Sequence, residues 1–192
     1  GRFPQITDHK TYEDTLSCDH ADLGVKILRA RNLLAHLGAE ASAAIESAVR
    51  YHNKLRLPSE LRGQAKIVSE VLRDADKIDI IRIAVEFYTS EVEGRNTGWF
   101  SEASFSPTCS CIAAESLLAG KAVPVTEINT VFDEFLLYLS WVNDLHFDVS
   151  VRQLAQLGRF KYMANEIPDD TLRARVSEYV VRRIEERCSV KT

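Results

Sequence analysis

Proline and glycine are scarce in this chain, 5 and 8 of 192 residues. So few breakers leave long stretches open to continuous helix. Cysteine is scarce too. Cys18, Cys109, Cys111 and Cys188 lack the spacing of a disulfide framework, which points to a reducing compartment and a cytoplasmic protein. No apolar run approaches the roughly 18–20 residues of a membrane span. The opening GRFPQITDHK has neither pattern of a targeting segment, so no membrane partner is expected. There is no basic excess either. A formal net charge of -4 offers no dense cationic surface to a phosphate backbone and argues against a nucleic acid as partner. What is present is ordinary globular composition, 45% hydrophobic and 27% charged, in a chain long enough to bury a core without staples.

Apolar residues recur at spacings of three and four, so the fold class is all-α. Leu23, Ile27, Ala30, Leu34 and Leu37 predict a helix over 18–37, with Ser17 or Asp19 as its cap and Gly38 at its end. An Ala-rich helix covers 39–52, a loop with Pro58 covers 53–63, and the longest helical pattern runs over 63–93. After a loop at 93–110, helices are expected at 111–120, at 126–145 with Thr126 as cap, at 149–167 with a break near Gly158, and at 168–188. The last opens on Pro168 and two acids, which suit a helix N-terminus. This reads as one compact multi-helix bundle, with the chemistry in residues 1–95 and further helices in 96–192.

The stretch VLRDADKIDI, residues 71–80, sets three carboxylates into an apolar helix. At about 100° per residue, Val68, Leu72, Ala75 and Ile78 share one arc. Asp79 falls inside that arc, Asp76 at its edge and Asp74 on the far side. A buried carboxylate is paired, hydrogen-bonded, protonated or bound to metal. One reading pairs these acids with Arg73 or Lys77. The other makes Asp76 a metal ligand, which then requires partners from other segments. Of the histidines, His9 and His36 carry no signal, whereas His20 opens a helix and His52 closes one. Helix ends meeting a carboxylate-bearing helix form a mixed N/O site. The pair CSC at 109–111 suggests a soft-metal or redox site but lacks a second cluster. Trp99, Phe100 and Phe105 read as loop packing ahead of a base-stacking pocket, and RRIEER as a solvated face of mixed charge.

Five blocks in order, GRFPQ at 1–5, DHADLGVKIL at 19–28, RYHNK at 50–54, RDADKID at 73–79 and LSWVNDLHFDVS at 139–150, resemble the HD superfamily of metal-dependent phosphohydrolases. The first and last resemble one bacterial subgroup in particular. The resemblance implies an HD-like helical domain and a divalent metal (Mn, Fe, Co, Ni or Mg) held by Asp76, His20 and His52. His20, His52 and Lys77 would act on the phosphoryl group. Arg2, Asn53 and Lys54 would contact a small phosphorylated substrate such as a nucleotide, and Asp79 would support the ligands from behind. The superfamily's adjacent His-Asp dyad has no counterpart, since no His is followed by Asp anywhere in the chain. The expectation is therefore a longer parent whose preceding segment supplies the dyad, an incomplete site here, and an uncovered apolar face that favours a homodimer. The alternative is a non-catalytic binding or oligomerisation module that keeps the scaffold.

Overall fold

The fold is all-α. The structure is a computed structural model and describes residues 2–11, 14–89 and 103–189. Among these residues are nine α-helices and no named strand; the extended pairing is an isolated bridge between Ser104 and Thr130. None of these helices is long and apolar enough to cross a membrane. The chain divides into two compact units, Gly1–Asp76 and Lys77–Thr192. The division thus falls inside a helix, upstream of the expected division at 95/96.

The first unit holds α1 (Arg2–His9), α2 (His20–Ala30), α3 (Ala39–Tyr51) and the start of α4 (Gly63–Thr89). Asp19 caps α2, accepting the amides of Ala21 at 2.9 Å and Asp22 at 3.2 Å. The helix stops at Ala30 and does not continue to Leu37. Asn32 takes a left-handed φ of 51°, a conformation Asn tolerates better than most residues, and turns fill the rest of the expected span. Small buried residues, Ala21 and Val25 on α2 and Ala44 and Ala48 on α3, let the two helices pack closely. Arg50 bonds Asp22 at 3.1 Å across the same pair.

The second unit holds the rest of α4, then α5 (Cys111–Leu118), α6 (Val131–Ser140), α7 (Asp148–Gln156), α8 (Arg159–Asn165) and α9 (Asp170–Cys188). Leu117, Leu136, Leu139, Leu154, Phe160, Met163 and Ile167 are fully enclosed in its core. Each contributes about 1.5–3 kcal/mol through burial. Gly158, at φ +67°, separates α7 from α8, where the sequence places the break. The start of α6 differs from expectation. Thr126 lies in a short 3₁₀ turn, Val125–Glu127, and Thr130 is the cap. Asp133 completes a capping box with it and accepts the amides of Ser110 at 2.6 Å, Asn129 at 3.1 Å and Thr130 at 2.9 Å. One buried carboxylate thereby ties the residue before α5 to the start of α6.

The buried face of α4 is not its apolar arc. Ser69, Arg73, Asp74 and Lys77 are buried, followed by Ile81, Ala84 and Val85. Ile67 and Val71 are 57% and 51% exposed. The order expected for the aspartates is reversed: Asp74 is only 2% exposed, whereas Asp79 lies on the exposed face and accepts from Arg82 at 2.9 Å. The reason is Arg73, which is buried and donates to the carbonyls of Tyr51 at 3.3 Å, Leu55 at 3.3 Å and Lys54. A guanidinium with carbonyl partners can be buried, and it fixes the helix rotation that a wheel weighted by hydropathy assigns elsewhere. Residues 90–93 of the expected helix, and Trp99 and Phe100, lie outside the described residues, while Phe105 is exposed.

Replacing Asp133 by Ala leaves three amides at the junction of α5 and α6 without their acceptor. The expected loss is about 3 kcal/mol, read from the urea midpoint. Asp133→Asn, which keeps one acceptor oxygen, loses less.

Candidate functional site

The first unit brings His20 and His52 together although they are far apart in sequence. Capping by Asp19 places His20 as the first residue of α2, and His52 follows the last residue of α3. Their Nε2 atoms lie 2.9 Å apart, with the rings edge to face and centroids 4.8 Å apart. The opposite nitrogens are both committed. His20 Nδ1–H donates to Asp14 Oδ1 at 2.9 Å and Oδ2 at 2.8 Å. His52 Nδ1–H donates to the Val49 carbonyl at 2.6 Å. A carboxylate and a carbonyl only accept, so each Nδ1 carries a hydrogen.

Asp14 is fixed in turn. Gln5, buried on α1, donates to it at 2.9 Å, and Arg2 Nη1 does so at 3.3 Å. Asn53 donates to Asp14 at 3.0 Å and to Asp19 at 3.1 Å. Lys54 forms an ion pair with Asp19. Arg2, Asn53 and Lys54, the expected substrate contacts, therefore gather around the histidines, bound to Asp14 and Asp19, two carboxylates outside the expected site.

These contacts set the charges. Burial works against ionisation of Asp14, but the bonds from His20 and Gln5 outweigh it and hold the carboxyl below its ordinary range. Burial likewise opposes ionisation of Asp19, and Lys54, the Asp22 and Ala21 amides and Asn53 overcome it and push it well down. For His20 burial dominates over the supporting bond to Asp14, so its imidazole is held below the ordinary histidine value. With both Nδ1 hydrogens engaged, the facing Nε2 atoms at 2.9 Å need a group between them: a hydrogen on one facing nitrogen, or a metal ion that both ligate.

Among the described residues, the group of metal-capable side chains drawn within 4.8 Å is Asp14, Asp19 and His20. Its carboxylates already accept several N–H donors, which suits them to orienting neighbours. Asp76, the expected carboxylate ligand, is half-buried on α4 and is not a member of this group. Asp79, expected to support the ligands from behind, belongs to the second unit and lies on the exposed face of α4, where it accepts from Arg82. Lys77 belongs to the second unit. There its buried ammonium is ion-paired with Asp144 and lies 5.9 Å from the Trp141 ring, which joins two of the sequence blocks, RDADKID and LSWVNDLHFDVS. Burial pushes the Cys109 thiol up to about 11, which removes its thiolate at neutral pH and weakens the CSC reading.

Two signals were available for the missed acids. Asp14 lies six positions before His20, within imidazole reach once a turn intervenes, and Asp19 directly precedes it as the cap. Neither falls on a periodic pattern.

Both carboxylates are held low in the folded chain, so their contribution to stability is complete above about pH 4 and is lost as pH falls through their folded-state values. Asp19→Ala is expected to cost about 1 kcal/mol at pH 7 through the lost cap and to flatten the decline in stability between about pH 4 and pH 2. Urea titrations at a series of pH values check both.

Comparison with known protein families, curated proteins and solved structures finds no match to this chain.

Proposed function

We propose that the first unit carries part of the divalent-metal site of a phosphohydrolase of the HD type, with His20 and His52 as ligands through Nε2. The observation that supports the metal site is the 2.9 Å approach of two Nε2 atoms whose Nδ1 hydrogens are both engaged, and the phosphohydrolase chemistry rests on the five-block sequence resemblance. Metal-ligating histidines usually donate their other N–H to a carboxylate or a backbone carbonyl, and here Asp14 and Val49 accept those bonds. Two metal–nitrogen bonds of about 2.0–2.1 Å, meeting near a right angle, span about 3 Å, so the two nitrogens fit one ion. Imidazole suits Fe, Co or Ni better than Mg or Mn.

A divalent ion supplies Lewis-acid polarisation of a phosphoryl oxygen and activation of water. The chain's own residues orient and bind. Asp14 holds the His20 ring, and the Val49 carbonyl holds His52. Arg2 and Lys54 carry the charge that phosphate oxygens seek, and both now rest on carboxylates. A phosphorylated substrate would reach them by taking over those bonds, as a competing anion of higher charge can. The assignment of Asp76 as the carboxylate ligand rests on the RDADK resemblance alone. With at most three ligands, binding is weak and turnover on a generic phosphoester is slight.

Calorimetric titration of Ni2+ is expected to show one weakly bound ion per chain. His20→Ala and His52→Ala each weaken it by about tenfold or more, since even the outer partners of metal ligands are worth about 10–100-fold. Asp76→Ala does the same if Asp76 is a ligand. No Ni2+ uptake by the unsubstituted chain would sink the reading. Hydrolysis of p-nitrophenyl phosphate at a substantial rate abolished by Asp76→Ala would show the site to be complete.

A further inference from the structure

We infer that Arg73 is the positioning residue of this site, acting through the turn that carries His52, Asn53 and Lys54. The inference rests on the reading of His20 and His52 as a ligand pair, but it stands on separate contacts. Arg73 is 3% exposed. Its guanidinium donates to the carbonyls of Tyr51, Lys54 and Leu55, which bracket His52–Lys54 from both sides. All of these residues lie in the first unit.

The geometry matters because α3 ends there. The last carbonyls of a helix have no partner within it, and a cation near them is favourable. Most helices meet this need with a glycine turn or with water. Here one rigid fork from α4 reaches three carbonyls and adds to the turn's own bond from the Lys54 amide to the Tyr51 carbonyl at 3.2 Å, so a side chain holds the path of the chain after Tyr51 against α4. His52 sits inside that bracket, and its own Nδ1–H bond to Val49 sets only the ring rotation. Where the ring stands relative to His20 depends on where the turn stands. Asn53 bonds to Asp14 and Asp19 from the same turn, as does Lys54 to Asp19, so one displacement would disturb all of these contacts with the acids around His20, while the Arg50–Asp22 bond, made from within α3, is separate. A point charge on a flexible stem cannot reproduce a planar fork, which makes Arg73→Lys a real test although the charge is kept.

The experiment compares the full chain with Arg73→Lys, Arg73→Gln and Arg29→Ala. The last breaks the exposed Arg29–Glu46 bond between α2 and α3 and controls for lost stability in the same unit. Long-range 1H–15N spectra of the imidazoles, recorded without metal, report ring tautomer and hydrogen bonding, and Ni2+ titration reports affinity. The expected result is that either Arg73 variant with native helix content shifts the ring signals of His52 and His20 and binds Ni2+ about 10–100-fold more weakly, the range for partners outside a ligand set. Arg29→Ala leaves the ring signals in place. Unchanged ring signals in a folded Arg73 variant would overturn the inference. So would loss of native helicity in both Arg73 variants, which would make the residue a requirement of the fold and not a device of the site. If the unsubstituted chain takes up no Ni2+, the metal reading fails, while the metal-free ring signals still decide the role of Arg73.

Discussion

The first unit is organised around a chain of hydrogen bonds in which two imidazoles meet nitrogen to nitrogen. From Gln5 through Asp14 to His20, and from the Val49 carbonyl to His52, every donor has a defined acceptor until the two Nε2 atoms are reached. There a hydrogen on one of the two nitrogens, or a metal ion that both ligate, completes the contact. Because the pair spans the start of α2 and the end of α3, that one contact links local capping to the relation between the two helices. Arg2, Asn53 and Lys54 then converge because they bond the acids that serve the histidines and the start of α2.

Burial makes these bonds consequential. In a low-dielectric setting an unmatched polar atom costs more than in water, and a matched one orients its neighbours more strongly. Asp14 shows both sides of this: enclosure opposes its charge, and the donors around it more than restore it. The same balance explains α4, whose first half turns polar residues inward. Arg73 is tolerated there because three carbonyls receive it, while Ile67 and Val71 face outward.

Much of this was legible in the sequence, and the reason is local. The all-α class follows from periodicity, Asp19 as a cap from its position before an apolar run, and the break at Gly158 from the left-handed turn it adopts. His20 and His52 were recognisable as helix-end residues, and the structure brings them together with Arg2, Asn53 and Lys54. Other features depend on partners that periodicity does not encode. The rotation of α4 is set by distant carbonyls, so Asp74 and Asp79 exchange their expected positions. Lys77 pairs with Asp144, 67 positions along the chain, and α6 begins at Thr130 because Asp133 gathers amides from two segments. Asp14 lies in a connecting segment, where no pattern marks it.

The central claim is that the two facing Nε2 atoms form a cation site. The most direct measurement is an anomalous difference map from a crystal of the full chain soaked in Ni2+. The account predicts one peak about 2.1 Å from both His20 Nε2 and His52 Nε2, with His20 Nδ1 still on Asp14 and His52 Nδ1 still on the Val49 carbonyl. A map with no peak there, and the two nitrogens still at hydrogen-bond distance, would mean that a shared hydrogen satisfies the pair and would contradict the metal reading.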